Sequence, residues 1–469
     1  MRLYDWLLRE HWARVVSGGV SPGQLRIAFV GNCQLAVSWT GDAGSGRRTV
    51  LVAHTDREGY LLDRVESCED SVIIEGQNLN GQKIESERKG TRVVVSIGSD
   101  YRCERATGRI LEINKTLSGE SRPSWVLIEV DADSQRFLDD PAGPITAHHE
   151  FFPGEDVRSL DNGDVVSWGI DNAAGVSVAT ACLTEAAMGG YPINMSVVYT
   201  FGEEAGFRGA LNLVQNCEDV VGAHEDVLWL VLDCTDSKRA WVCGLGEWRR
   251  FRLSESADAF ENSDRTNALA WSRFEGRSAA VRLEDQLSVY ELSGGRLLCQ
   301  AALGAKRHFL GRKSLRLTRP WELGQAGVFL GGLCEASILL HAEDLRVKMA
   351  LDGRPADRVG CVVMPITNYR HLGGTRIQPE TVHSSAIESA FTIAMDAAFM
   401  HRFYTYPRKS VSGFRGHAAA SRFFDPAPPD RESLIGVWVD RLSEASDQEA
   451  VLADWCQSEG IRLANDAAD

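Results

Sequence analysis

Two runs in the middle of the chain, "MSVVYTF" (residues 195–201) and "VLWLVLD" (residues 227–233), are apolar almost without interruption. A strand with one solvated face alternates polar and apolar residues, so these two must be covered on both sides. "GVSVATACLTEAAM", just before the first run, is rich in Ala and apolar all round, which predicts a buried helix. "GALNLVQNC", between the two runs, predicts another helix. This alternation of helix and buried strand points to an α/β layer built on a mostly parallel sheet.

Upstream, "QLRIAFVGN", "QLAVSW" and "RTVLVAH" read as strands of the same layer, from their β-branched content and their Gly and Asn breaks. "SVIIEG", "RVVVSIG" and "WVLIEV" then continue the strand pattern without helices, which marks residues 61–165 as an inserted β-rich module. The α/β layer is expected over residues 1–60, 166–242 and 328–403, where "GGLCEASILLHAE" (helix), "RVGCVVMPI" (strand) and "SSAIESAFTIAMDAAFMHRF" (long helix) bring the pattern back. Ser385 and Glu388 form a capping box at the start of that last helix. Residues 243–327 form an insertion without a clear period. Residues 404–469 form a C-terminal extension, with the breaker-rich "FDPAPPD" followed by a surface helix in "SDQEAVLADWCQSEG".

A chain of 469 residues exceeds what one ordinary core supports, in line with a layer plus a module. Its net charge of -15 argues against nucleic acid or an anionic membrane as partner, since both are negative themselves. The 11 cysteines are scattered and include no CxxC pair, which speaks against a disulfide framework and for a reducing, cytoplasmic setting. No run approaches a membrane span, and the charged N-terminus reads as an amphipathic helix, not a signal peptide.

Chemistry-bearing side chains collect where the predicted strands end. "VLVAHTD" ends in His54 and Asp56, "VVSWGIDN" leads to Asp171, and "VVYTFGEE" ends in Glu203 and Glu204. "LWLVLD" ends in Asp233, and "CVVMPITNYRH" in His371. Carboxyl ends of parallel strands share one edge, the usual place for a ligand, so five segments could aim at one point. Singly, each residue has an ordinary explanation; Asp171, for instance, could simply cap a helix. Jointly, carboxylates crowded at one edge repel one another unless cations offset them, and His with carboxylate is a ligand set that zinc accepts.

In this order, "HTD", "DN..G", "GEEAGFRGA", "LD" and a late His resemble the co-catalytic dinuclear zinc aminopeptidases, most closely the deblocking, tetrahedron-forming family. That family carries a PDZ-like β-barrel between its first His and its bridging Asp, where this chain has its β-rich module. The resemblance covers most of residues 20–240 and 325–403. It implies a zinc-exopeptidase-like fold and hydrolysis of an amide, the release of N-terminal residues from peptides. Two divalent cations are implied, zinc foremost, with cobalt or manganese as alternatives.

Residue by residue, the resemblance makes His54, Asp171, Glu204, Asp233 and His371 the metal ligands, with Asp171 bridging and His383 as the alternative to His371. Glu203 would act as general base, and Asp56 would hold the His54 imidazole. Self-association is implied as well. This chain has Ala173 where the family usually has Arg, and "GGLCEA" where the family has Gly-Gly-Thr-Asp. A two-metal amidohydrolase or deacylase acting on a small non-peptide amide is the sibling enzyme reading, and a catalytically inactive scaffold or regulatory relative is the reading of another class. His148 and His149, in "ITAHHE", are expected in a loop of the module as a surface or interface pair, and Cys234 is expected in the core.

Overall fold

The computed structural model describes residues 2–236 and 358–403, apart from stretches at 32–33, 58, 68–70, 79–87, 99–103, 132–144, 154, 204–207, 217, 222–225 and 369–377, together with three strands between these blocks. The expected helix in "GGLCEASILLHAE", most of the 243–327 insertion and the whole C-terminal extension lie outside the described residues.

The chain starts as a helix, α1 (Arg2–Trp6), which passes through a π-helical turn at Leu7–Trp12 into α2 (Ala13–Ser17). Leu7, Leu8, Trp12 and Val15 are buried, so this amphipathic segment is part of the core. Strands β1 (Leu25–Val30), β2 (Gln34–Thr40) and β3 (Arg47–His54) follow, as their composition predicts.

Next comes a closed barrel of β4 (Tyr60–Ser67), β5 (Val72–Asn78), β6 (Arg92–Ile97), β7 (Glu104–Lys115), β8 (Ser121–Val130) and β9 (Ile145–His149). Antiparallel pairing of β4 with β9, Tyr60 opposite Ala147, closes it. Its interior is a separate apolar cluster that includes Tyr60, Ile74, Val95, Val126 and Ile128.

β10 (Val157–Ser159) and β11 (Asp164–Ser167) lead into α3 (Ile170–Met188), which is followed by β12 (Asn194–Thr200). Two short helices, α4 (Arg208–Gln215) and α5 (Glu218–Val221), precede β13 (Asp226–Asp236). Short strands β14 (Ala279–Arg282), β15 (Ser288–Glu291) and β16 (Leu317–Thr318) extend the main sheet beyond β17 (Arg358–Thr367). β18 (Glu380–His383) and α6 (Ser384–Phe403) complete the described chain.

The main sheet runs β1-β2-β12-β3-β13-β17 and onward, and β12, β3, β13 and β17 are mutually parallel. Every residue of β12 is buried, as its unbroken apolar run requires. α3 and α6 pack on each other and on the sheet, and Ala- and Gly-rich faces allow the close approach. At Gly175, for example, a Cβ would fall 2.7 Å from the Leu232 carbonyl oxygen of β13.

Three expectations need correction. The β-rich pattern runs to Val165, yet the barrel ends at His149 and β11 pairs with β18 in the main sheet. Alternation alone does not tell which sheet a strand joins. His148 and His149 lie on β9, not in a loop, and both are buried, at 5% and 2% exposure. The last helix begins at Ser384, which places Ser385 within its first turn instead of ahead of it. Among the described residues, no helix is long and apolar enough to cross a membrane.

The barrel meets the main sheet through a polar and aromatic seam. The His149 ring lies 4.5 Å from that of Trp168, centroid to centroid, and Tyr60 Oη is 3.1 Å from His149 Nε2. Beside it, His148 Nε2 is 3.6 Å from Asp156, which accepts a 2.6 Å ion pair from Arg105. Arg57, three residues beyond His54, donates to His148 Nδ1 at 3.4 Å.

Candidate metal centre

Parallel pairing sets the ends of β12 and β3 level. Thr200 pairs with His54, and the Thr55 N–H donates to the Thr200 carbonyl at 2.8 Å. On the other side of β3, Val52 pairs with Val231, which brings Asp233 to the same edge as His54. His54 Nε2 is 3.2 Å from Asp171 Oδ1 and 3.5 Å from Asp233 Oδ1.

Asp171 reaches this edge because the start of α3 is kinked. Gly169 takes φ +77°, a left-handed conformation that glycine adopts without strain, and Asp171 and Asn172 have non-helical dihedrals joined by a cis peptide. Asn172 then fastens the turn: its Nδ2 donates to the Leu232 carbonyl at 2.8 Å, and its Oδ1 accepts from Gly175 N–H at 3.1 Å. Asp171 is therefore not a helix cap. Its carboxylate is turned to the imidazole of His54.

All three residues are at most 4% exposed, and their ligand atoms lie within 4.8 Å of one another. Burial alone would lower the His54 pKa. Asp171, Asp233, Asp56 and Glu203 more than reverse this and hold it well above its ordinary value. Burial and the Asp171 carboxylate push Asp233 up to about 6, against the opposing pull of His54. Two buried carboxylates and an imidazole that favour positive charge at one point form a donor set that fits a divalent cation.

The other side chains read from the sequence fall as follows. The Asp56 backbone carbonyl, not its carboxylate, is the nearer partner of His54 Nδ1, at 3.1 Å against 3.7 Å for Oδ1. The Asp56 carboxylate instead accepts from the N–H groups of Gly202, at 2.9 Å, and Glu203, at 3.2 Å. Glu203 thus leaves β12 on a loop held by the segment that follows His54, close enough to influence the imidazole. Glu204 and His371 lie outside the described residues. His383 is exposed at the end of β18, with its Nε2 3.1 Å from the Asn162 carbonyl oxygen.

Cys234 is buried as expected, its Sγ 3.6 Å from the Ile170 carbonyl oxygen. Glu380 escaped the sequence reading. It is 1% exposed, and its Oε2 accepts from the Asp171 N–H at 3.2 Å. The only signal in the sequence is the alternation in "ETVH", too short to stand out from a polar lead-in to the final helix.

Residues 122–242 match the family described as M42 glutamyl aminopeptidase. No curated protein sequence matches the chain. Among solved structures, it is similar to aminopeptidase APDkam598 from the archaeon Desulfurococcus kamchatkensis, with 17% identity, TM-score 0.47, and coverage of 83% of this chain and 89% of that one. A Pyrococcus horikoshii TET1 peptidase, described as assembling into a tetrahedron or a large octahedral shell, is similar at 14% identity and TM-score 0.45, over 83% of this chain and 92% of that one. An M18-family aminopeptidase from Thermotoga maritima is similar at 10% identity and TM-score 0.47, over 83% and 91% respectively. The matched segment includes the sequence positions of Asp171, Glu203, Glu204 and Asp233, and the match supports a metal-dependent aminopeptidase.

Proposed function

We propose that this aminopeptidase works with two divalent cations, zinc being the best chemical match, held by His54, Asp171, Glu204, Asp233 and His371. Asp171 would help to hold both, and Glu203 would serve as general base. The observation that supports this most is the convergence of His54, Asp171 and Asp233, from three separate elements, on one buried point. When bound, the cations would polarise the scissile carbonyl and make a water acidic enough to attack near neutral pH.

The remaining steps fall to the chain. The Glu203 carboxylate takes a proton from the attacking water and passes it to the departing amine nitrogen, so the water oxygen ends in the new carboxylate product. The Asp56 carboxylate steadies the Glu203 backbone while this happens. His54, buried at 1% exposure and oriented through Nδ1 by the Asp56 carbonyl, leaves Nε2 directed at Asp171 and Asp233. Self-association belongs to the same proposal and would appear as a multiple of the 51.5 kDa chain mass by light scattering.

The test combines metal analysis of the purified chain with a panel of aminoacyl anilides and acylated small amides. About two zinc ions per chain and turnover of aminoacyl substrates are expected, with turnover lost and metal kept in Glu203→Gln. Silence from every aminoacyl compound, with turnover of an acylated amide, would favour the deacylase reading.

A further inference from the structure

Glu380 belongs to no strand of the parallel edge, yet it reaches the same buried centre. β18 pairs antiparallel with β11, Glu380 opposite Ser167 and Val382 opposite Val165, and also pairs with β17. Side chains alternate along a strand, so Glu380 and Val382 face inward, while His383 faces out. The pairing with Ser167 brings Glu380 beside the chain just before it enters α3.

At that point the backbone needs an acceptor. Asp171 follows a left-handed glycine and has non-helical dihedrals, φ −80° and ψ 105°, at the very start of α3, where no preceding helical turn can take its N–H. A buried N–H without an acceptor would cost much of its hydration, and the Glu380 carboxylate meets it at 3.2 Å. A neutral acceptor would satisfy the N–H equally well. A carboxylate also adds charge next to Asp171, and that charge extends to Cys234, whose thiol is held up by burial and by Asp171, Asp233 and Glu380.

We propose that Glu380 is a positioning residue, which fixes the Asp171 backbone by its hydrogen bond and strengthens cation binding by its buried charge. The second half rests on the two-cation reading above. The charge acts with opposite sign in the two states: it repels Asp171 and Asp233 in the metal-free chain and attracts the cations in the loaded one. The hydrogen bond favours both states alike. The two contributions can therefore be separated by substitution.

The experiment uses the full chain, with Zn2+ affinity read by chelator competition, Co2+ substitution read by visible absorption, and melting temperature read after metal removal. Glu380→Gln keeps an acceptor oxygen and removes the charge. It should bind Zn2+ about 10–100-fold more weakly, shift the Co2+ bands, and melt higher than wild type when metal-free. Glu380→Ala should bind as weakly but melt lower than Glu380→Gln when metal-free, because the Asp171 N–H loses the Glu380 oxygen. Wild-type affinity in Glu380→Gln, or a metal-free melting temperature no higher than that of wild type, would overturn the role of the charge. A metal-free Glu380→Ala chain as stable as metal-free Glu380→Gln would overturn the hydrogen bond. Wild-type protein that takes up no Zn2+ would overturn the two-cation reading and the affinity half with it, while the metal-free melting temperatures still judge the hydrogen bond.

Discussion

The Asp56 carboxylate and the backbone of Glu203 are joined by a hydrogen bond of 3.2 Å, so the segment after β3 and the loop after β12 form one unit. The Gly202 N–H donates to the same oxygen at 2.9 Å. Because Asp56 is two residues from His54, any change in this contact is felt by both Glu203, the proposed general base, and the imidazole. Asp56→Ala leaves two amides without their acceptor, and a drop in kcat of about 10–100-fold with a nearly unchanged KM is expected. Steady-state kinetics on an aminoacyl anilide would show it, and an unchanged kcat would contradict the arrangement.

Asp171 and Glu203 should fail in different ways. Asp171→Ala removes a carboxylate from the buried centre, so zinc should no longer raise the melting temperature of the variant. In the wild type, a free concentration a hundred times the Kd stabilises the fold by about 2.7 kcal/mol. Glu203→Gln should keep that zinc-dependent rise and lose about 10²–10⁴-fold in kcat. Calorimetric scans with and without zinc, beside turnover measurements, separate the two.

The barrel seam gives a pH dependence of defined sign. Burial first, and then the Arg57 guanidinium, lower the His148 pKa from 6.5 to about 4. Between these values the unfolded chain binds a proton that the folded chain does not, so stability falls as pH drops from about 6.5 to about 4. At 1.36 kcal/mol per pKa unit the loss amounts to roughly 3 kcal/mol. His148→Gln should flatten this part of the profile, as read from denaturant midpoints at pH 4.5 and 7.

Gly175 is a point of close approach between α3 and the sheet. A Cβ there would lie 2.3 Å from Asn172 Oδ1 and 2.7 Å from the Leu232 carbonyl oxygen. Gly175→Ala must push Asn172 out of its hydrogen bonds or α3 off β13, at about 1–3 kcal/mol by the usual cost of overpacking. The melting temperature should fall, and metal affinity with it, because Asn172 is the neighbour of Asp171.

The parts of the centre visible in the sequence are those set by local pattern. Apolar runs ending in His54 and Asp233 announce strands whose ends share an edge, and "GIDN" before an Ala-rich helix announces Asp171. What the pattern does not carry is partnership between distant segments. Glu380 counts only because β18 pairs with β11, and the carboxylate of Asp56 turns to Gly202 and Glu203, not chiefly to His54. His148 and His149 look like surface residues until β9 is paired on both sides within a closed barrel. Each of these depends on which strands become neighbours, and that follows from packing of the whole chain.

Tyr60 and Ala147 stand face to face across the β4–β9 pairing, so the barrel hands the polypeptide back almost where it received it. To the sheet and helix layer that carries His54 and Asp171, the whole excursion is a detour with no net travel. A module joined this way can be enlarged, trimmed or exchanged without altering the spacing between the two flanks. The chemistry and the shape of its surroundings are thereby free to change independently.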